Sequence, residues 1–398
     1  MLFLRRRLSR DRCPAANETY LTVSKRGNLN NRMQLKVAII GARGIPATYG
    51  GFDTLVEELS VRLVRDHDMN VTVYCRTDYY VERPKYFSGV ECVYISAPRI
   101  KGLESLIHTF LCSVHALGRN YDLIFIVDPG NAPIAVMLKL LNKIVVVHTD
   151  GLGWKRRKWG YLARKYYRWV EWVSARIVKN IITDNQGMAD YYLHNYHAES
   201  MQIAYGASSP YGVDGTVYNE LALAAGSYLL VVARLEPENN VDVIIREYVA
   251  ARAKMPLVIV GGAPYGEDYM DYLRSLANGH VLFAGQFSDQ AKLNALYKGA
   301  YLYVHGHEVG GTNPSLLRAM GFGTAPLVMD VDYNRYVVGP QGLVFNKEKG
   351  NLAATLDKLA NDAGEVRRAG QTAMARVDKE YNWEAVSNRY AEYFRSLL

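Results

Sequence analysis

Two glycine-rich stretches, each placed where a run of β-branched residues ends, have the composition to hold a phosphate. The first, Gly41-Ala-Arg-Gly-Ile-Pro-Ala-Thr-Tyr-Gly-Gly51, follows Lys36–Ile40 and leads into a helix predicted from about Asp53 to Val64. The second, His305-Gly-His-Glu-Val-Gly-Gly-Thr-Asn-Pro-Ser-Leu-Leu-Arg-Ala-Met320, follows another such run and opens a helix near Pro314. A glycine turn at a helix start offers backbone N–H groups without partners and the positive end of the helix dipole, which suits an anion. Gly50 and Gly51 permit close approach in the first loop, and Gly310, Gly311 and Thr312 form a second cradle. The spacing is not G-x-G-x-x-G, which argues against a dinucleotide-dependent dehydrogenase. Taken alone, the first loop reads more readily as a structural turn; two such loops, one per half of the chain, point to one ligand bridging a cleft. His305 and His307 have no Asp or Cys at ligand spacing, so no metal site is expected.

These loops need rigid elements behind them. With 398 residues, 49% hydrophobic and 22% charged, the chain can bury two substantial cores. Lys36–Ile40, Val71–Cys75, Val90–Ile95, Leu123–Val127, Ile144–His148 and Ile177–Thr183 read as buried strands separated by helical patterns. A second series repeats the plan: Tyr228–Ala233, Leu257–Val260, Val281–Ala284, Ala300–His305, Ala325–Met329 and Gly342–Phe345. Alternation of this kind implies crossover connections and parallel sheets covered on both faces, an α/β chain of two Rossmann-like domains. The expected division is an extension over 1–32 without periodicity, an N-terminal domain over 34–205, a linker over 206–225, a C-terminal domain over 226–382 and a final amphipathic helix over 383–398.

Charge is unevenly spread: residues 1–210 hold 29 Lys and Arg against 18 Asp and Glu, while the whole chain carries +8, so the remainder is net acidic. A basic half suits a pyrophosphate-bearing substrate or phospholipid headgroups. Trp154-Lys-Arg-Arg-Lys-Trp159, continued through Arg164 to Trp172, mixes cations with interfacial aromatics, and the stretch 154–172 is expected to form a helix that can lie on an anionic membrane. No recognised module accompanies the charge, so nucleic acid is not an expected partner. Met1 to Arg7 has no apolar stretch of secretory length, and no run of 18 uncharged apolar residues occurs, so a cytoplasmic protein peripheral to the inner face of the membrane is expected. Cys13, Cys75, Cys92 and Cys112 match no zinc pattern and are expected as free thiols.

Gly41–Glu57, His148-Thr-Asp-Gly-Leu-Gly-Trp-Lys-Arg-Arg-Lys-Trp159, Thr183–Asp190, Val232-Ala-Arg-Leu-Glu-Pro-Glu-Asn-Asn240 and Gly306–Met320 together resemble retaining GT-B enzymes of glycosyltransferase family four, in particular the bacterial subgroup of capsular and O-antigen rhamnosyltransferases. The resemblance covers about residues 34–398. It implies the GT-B fold, two facing Rossmann-like domains with a C-terminal helix returning to the N-terminal one. It implies a nucleoside-diphosphate sugar donor, a lipid-linked or oligosaccharide acceptor in surface-polysaccharide synthesis, and no cofactor or metal. It also implies roles: Arg234 on the diphosphate, Gly50, Gly51, Gly310, Gly311, Thr312 and Asn313 around phosphates and sugar, His148 near the reacting carbon and Glu308 orienting the sugar. At the donor site the family carries a glutamate where this chain has Arg318; an arginine cannot accept from the ribose diol. A deoxyribonucleotide donor tolerates that loss better. Arg318 also motivates the alternative of a catalytically weakened homologue acting as a binding or assembly partner. A sugar-nucleotide epimerase is the third reading, without the acid/base carboxylates it needs.

Overall fold

The computed structural model describes residues 34–47, 51–100, 102–149, 151–155, 160–207, 212–263 and 267–398. The expected 1–32 extension, Cys13, Gly50 and the centre of the basic stretch, 156–159, lie outside the described residues.

The first half builds β1 (Lys36–Ile40), α1 (Gly51–His67), β2 (Asn70–Arg76), β3 (Tyr86–Phe87), β4 (Val90–Ile95), α2 (Glu104–Leu117), β5 (Leu123–Val127), α3 (Ala132–Leu140), β6 (Ile144–Thr149), α4 (Tyr161–Val173), β7 (Ile181–Thr183), α5 (Gln186–Tyr196) and β8 (Met201–Gln202). These strands form one sheet of order β3-β4-β2-β1-β5-β6-β7-β8. All pairings are parallel except β3 with β4. The central strand Leu-Ile-Phe-Ile-Val of β5 is buried on both faces, which is what helices on each side of a parallel sheet require. The β3–β4 hairpin turns at Ser88 and Gly89, both at positive φ, and at two residues β3 is too short to announce itself by alternation.

The second half repeats the plan with β9 (Leu229–Val232), β10 (Leu257–Val260), β11 (Val281–Gly285), β12 (Leu302–His305), β13 (Pro326–Met329) and β14 (Leu343–Phe345), all parallel, in the order β11-β10-β9-β12-β13-β14. Its helices are α6 (Thr216–Glu220), α7 (Val241–Ala250), α8 (Glu267–Leu276), α9 (Gln290–Gly299), α10 (Pro314–Gly321), α11 (Asp332–Val338), α12 (Asn351–Ala360) and α13 (Ala363–Arg376). The last helix, α14 (Trp383–Ser396), returns to the first half: Tyr390 and Phe394 pack on Phe125 with ring centroids 5.7 and 5.4 Å away. This is the GT-B architecture of two facing Rossmann-like domains.

Two local expectations change. Residues 177–178 are not strand: Ser174–Val178 extends α4 as a π-helical turn, closed by the Ser174 hydroxyl on the Val170 carbonyl at 2.8 Å, and β7 begins only at Ile181. Ala175 and Val178 face the core from that turn, so their apolar character serves a helix end. Nor is 154–172 one helix, since Gly153–Lys155 forms a separate short turn before α4. Within the segment 206–225, α6 buries Val217 and the Tyr218 hydroxyl donates to the Ala295 carbonyl at 2.6 Å, which ties this stretch to the second half. No helix among the described residues is long and apolar enough to cross a membrane, and Cys75, Cys92 and Cys112 are buried free thiols.

Candidate active site

Strand order reverses between β1 and β5 in the first sheet and between β9 and β12 in the second. Beyond the carboxyl ends of the strands at such a reversal the two loops leave in opposite directions and open a crevice, the usual ligand position in open α/β sheets. Here the two crevices face one another and form a single cavity of about 730 Å³. Its walls include Gly51, Arg234, Glu308, Gly310, Gly311, Thr312 and Asn313. The structure thus brings together most of the residues singled out in the sequence.

The loop after β1 is held by α1. Asp53 accepts the Arg43 amide at 3.0 Å, and Glu57, one helical turn on, accepts the Ala47 amide at 2.5 Å. Burial raises both carboxyls above their ordinary values, with these amide bonds working in the opposite direction. The Arg43 and Arg76 guanidinium groups, both on the cavity wall, lie 5.1 and 5.2 Å from the Tyr79 ring centroid. Beside this loop Asp128 closes β5 at φ 75°, ψ 110°, outside the ordinary regions for a side-chain-bearing residue, and its carboxylate accepts the Gly130 amide at 2.8 Å.

The opposite wall is organised by Asn313, the N-cap of α10, which accepts from the Ser315 amide at 3.0 Å and the Ser315 hydroxyl at 2.8 Å. Ser315 Oγ meets the Tyr303 hydroxyl at 2.9 Å, which in turn meets His305 Nδ1 at 3.1 Å. His305 stacks on the cavity residue His307 with ring centroids 4.3 Å apart. Burial, aided by the nearby Arg234 charge, pulls His307 down to about 3, so it stays neutral at physiological pH. Arg234 is 42% exposed and lies 3.6 Å from the buried Glu236, leaving its guanidinium turned partly to the cavity. Glu308 is ion-paired to Lys347.

Three expected roles meet a different geometry. His148 is fully buried behind the wall, ringed by Phe52, Phe125, Tyr205 and Tyr390 at 5.7, 6.2, 5.6 and 6.4 Å. Phe52 and Tyr205 stand at the cavity in its place, and burial alone drives its pKa down to about 3. The end of a parallel strand was legible in the sequence; the aromatic screen, assembled from three other elements and α14, was not. Arg318 is not on the wall. Its Nε donates to Asn294 Oδ1 at 2.9 Å and its Nη1 to Gln290 Oε1 at 2.9 Å, while the guanidinium covers the Tyr297 ring at 5.4 Å. Thr312 lines the cavity, yet its amide is already bound by Asp184 from the first half, at 2.8 Å. Asp53, Asp128 and Asp184 are wall residues that the sequence reading did not single out. Asp53 and Asp184 lay within motifs already quoted and Asp128 did not, and nothing in one-dimensional spacing connects Asp184 to Thr312.

Residues 226–362 match the family described as Glycosyl transferases group 1, and residues 34–208 match a domain of unknown function (DUF1972). No curated protein matches the chain. Among solved structures, sucrose-phosphate synthase from Thermosynechococcus elongatus superposes with a TM-score of 0.77 at 18% identity, covering 92% of this chain and 99% of that one. HepE from Anabaena, in complex with UDP, gives 0.72 at 14% identity with 92% and 100% covered. A glycosyltransferase from Rickettsia africae gives 0.69 at 10% identity with 92% and 99% covered. At these identities the likeness is one of fold.

Proposed function

We propose that this protein is a nucleotide-sugar-dependent glycosyltransferase that moves a hexose, in our reading rhamnose from a deoxythymidine diphosphate donor, to a surface-polysaccharide precursor on a lipid carrier, with retention and without a bound metal. The observation that carries the reading is the single cavity between two opposed switch points, with Arg234 and the Gly310–Gly311 loop on one wall and Gly51 on the other. The group 1 match over the half that holds Arg234 supports it. So do the HepE structures, described as complexes with UDP, with UDP and glucose, and with UDP-glucose.

In this reading the fixed charge and forked donors of Arg234 grip the diphosphate, and the loop amides stabilise the charge that grows on it as it leaves. The bond from the acceptor oxygen to the anomeric carbon forms on the face from which the carbon–phosphate oxygen bond breaks, and the acceptor proton passes to the departing diphosphate. Glu308, held by Lys347, orients the sugar. His148 acts through Phe52 and Tyr205, whose rings it backs. For the carrier, α4 offers exposed Tyr161, Leu162, Trp169 and Trp172 among Arg164, Lys165 and Arg168, a composition suited to an anionic lipid surface.

Thermal-shift screening of UDP, dTDP, GDP and their sugars, followed by transfer assays on lipid-linked acceptors, tests the proposal, because a ligand of the native state raises its melting point. Arg234→Ala is expected to weaken nucleotide binding by about 2 kcal/mol, roughly thirtyfold, the scale of a lost charge-assisted bond. Equal affinities of the variant and the parent would sink the reading. The second reading, a weakened homologue that binds without transfer, rests on Arg318, whose side chain serves the packing of α9; nucleotide binding with no turnover on any acceptor favours it.

A further inference from the structure

The two halves of the chain meet at the cavity through one carboxylate. Asp184 follows β7 in the first half and is buried. Its Oδ2 accepts the Thr312 amide at 2.8 Å, and its backbone carbonyl accepts the Thr312 hydroxyl at 2.6 Å. The fit around this pair excludes side chains at two glycines. A Cβ on Gly311 would fall 2.0 Å from Asp184 Oδ1, and one on Gly151, already at φ +74°, would fall 2.6 Å from the Gly310 Cα. Further bonds join the halves, among them Asn185 Nδ2 donating to the Tyr333 carbonyl at 3.0 Å and the Tyr336 hydroxyl donating to Asp190 Oδ2 at 3.0 Å.

The Tyr336 bond lies at the surface, where water can replace it; Asn185 is buried like Asp184 but donates only a neutral amide. A carboxyl oxygen buried on an amide at the start of α10 faces the positive end of the helix dipole. It also fixes the loop's shape, because the residue it grips is the one that follows Gly310 and Gly311. Separation of the halves would have to break both bonds between Asp184 and Thr312, one to the carboxylate and one to the backbone carbonyl.

We propose that Asp184 is a positioning residue: it latches the glycine loop of the second half onto the first, holding the cleft closed and setting Gly310 and Gly311 where the donor diphosphate is received. The identity of the ligand rests on the glycosyltransferase reading, while the latch itself does not.

Hydrogen exchange of the full-length protein without ligand reads the latch directly. In the parent the Thr312 amide is expected to exchange slowly. Asp184→Ala is expected to speed exchange across 306–313 at least tenfold, leaving β5 and β10 unchanged, with Asp184→Asn intermediate because its amide oxygen still accepts. Thr312→Val, which removes the hydroxyl bond alone, should give a smaller rise. Gly311→Ala, which drives a methyl into the carboxylate, should act as Asp184→Ala does, and it decides the matter should Asp184→Ala fail to fold. Unchanged exchange in both variants overturns the proposal. UDP and dTDP titrations supply the second readout: about tenfold weaker binding in Asp184→Ala supports positioning, and tighter binding overturns it by making the carboxylate a competitor of the phosphate. Should neither nucleotide bind the parent, the donor reading fails and the exchange data still decide the latch.

Discussion

At residue 318 an arginine stands where the resemblance leads one to expect a carboxylate, and its side chain packs on α9 instead of the cavity wall. Its guanidinium is bonded to Asn294 and Gln290 of α9 and covers Tyr297, and burial lowers its pKa from the usual arginine value. Arg318→Glu would set a carboxylate against the Asn294 and Gln290 side-chain oxygens. We expect it to cost about 1–3 kcal/mol in urea unfolding without tightening UDP binding. A stable variant with stronger UDP affinity would show the position to be a ribose site after all. The residue types at Arg234, Gly310 and Gly311 stated their chemistry in the sequence, because fixed charge and missing side chains are intrinsic. The roles of Arg318 and His148 were not legible, since each depends on which neighbours the fold delivers.

Among the elements, α4 and α5 share a buried carboxylate. Glu171 accepts the hydroxyls of Tyr191 and Tyr196 at 3.0 and 3.1 Å, and Trp154 Nε1 donates to Tyr191 at 3.3 Å. Burial pushes Glu171 up from 4.5 to about 7, the tyrosines offsetting part of the effect. A carboxyl whose folded pKa exceeds its unfolded one binds its proton better when folded. Its contribution to stability is therefore complete below the unfolded value and is lost as pH rises through the folded one. Glu171→Gln should remove that loss, leaving the variant more stable than the parent by up to about 3 kcal/mol at pH 8 and no more stable at pH 4, as urea unfolding across pH would measure. A constant difference across that range would mean the carboxyl does not titrate there. On the far side of the cavity, Asn313→Ala strips the cap of α10 and should cost about 1 kcal/mol, read as a lower urea midpoint at unchanged slope. The long strands were legible because burial on both faces demands continuous β-branched runs. The two-residue β3 and the π turn at 174–178 were not, for lack of length and because a helix end can bury the same apolar residues.

For the whole molecule, the exposed aromatics of α4 make a membrane test direct. Binding to vesicles containing phosphatidylglycerol should weaken with salt and fall at least tenfold in a Trp169→Ala, Trp172→Ala double variant, whereas neutral vesicles should bind neither protein. Equal binding of parent and double variant to the anionic vesicles would remove α4 from any membrane role. The sequence by itself determined two α/β halves, the two glycine loops and the arginine at the end of β9, since periodicity, glycine and fixed charge are local properties. Only the tertiary structure decided that both loops open on one cavity, that Asp184 binds Thr312 across 128 residues of chain, and that α14 helps seal His148 behind aromatic rings. The reason is physical: hydrogen bonds and burial are set by distance in space, and a parallel sheet brings together residues whose separation along the chain carries no signal of their meeting.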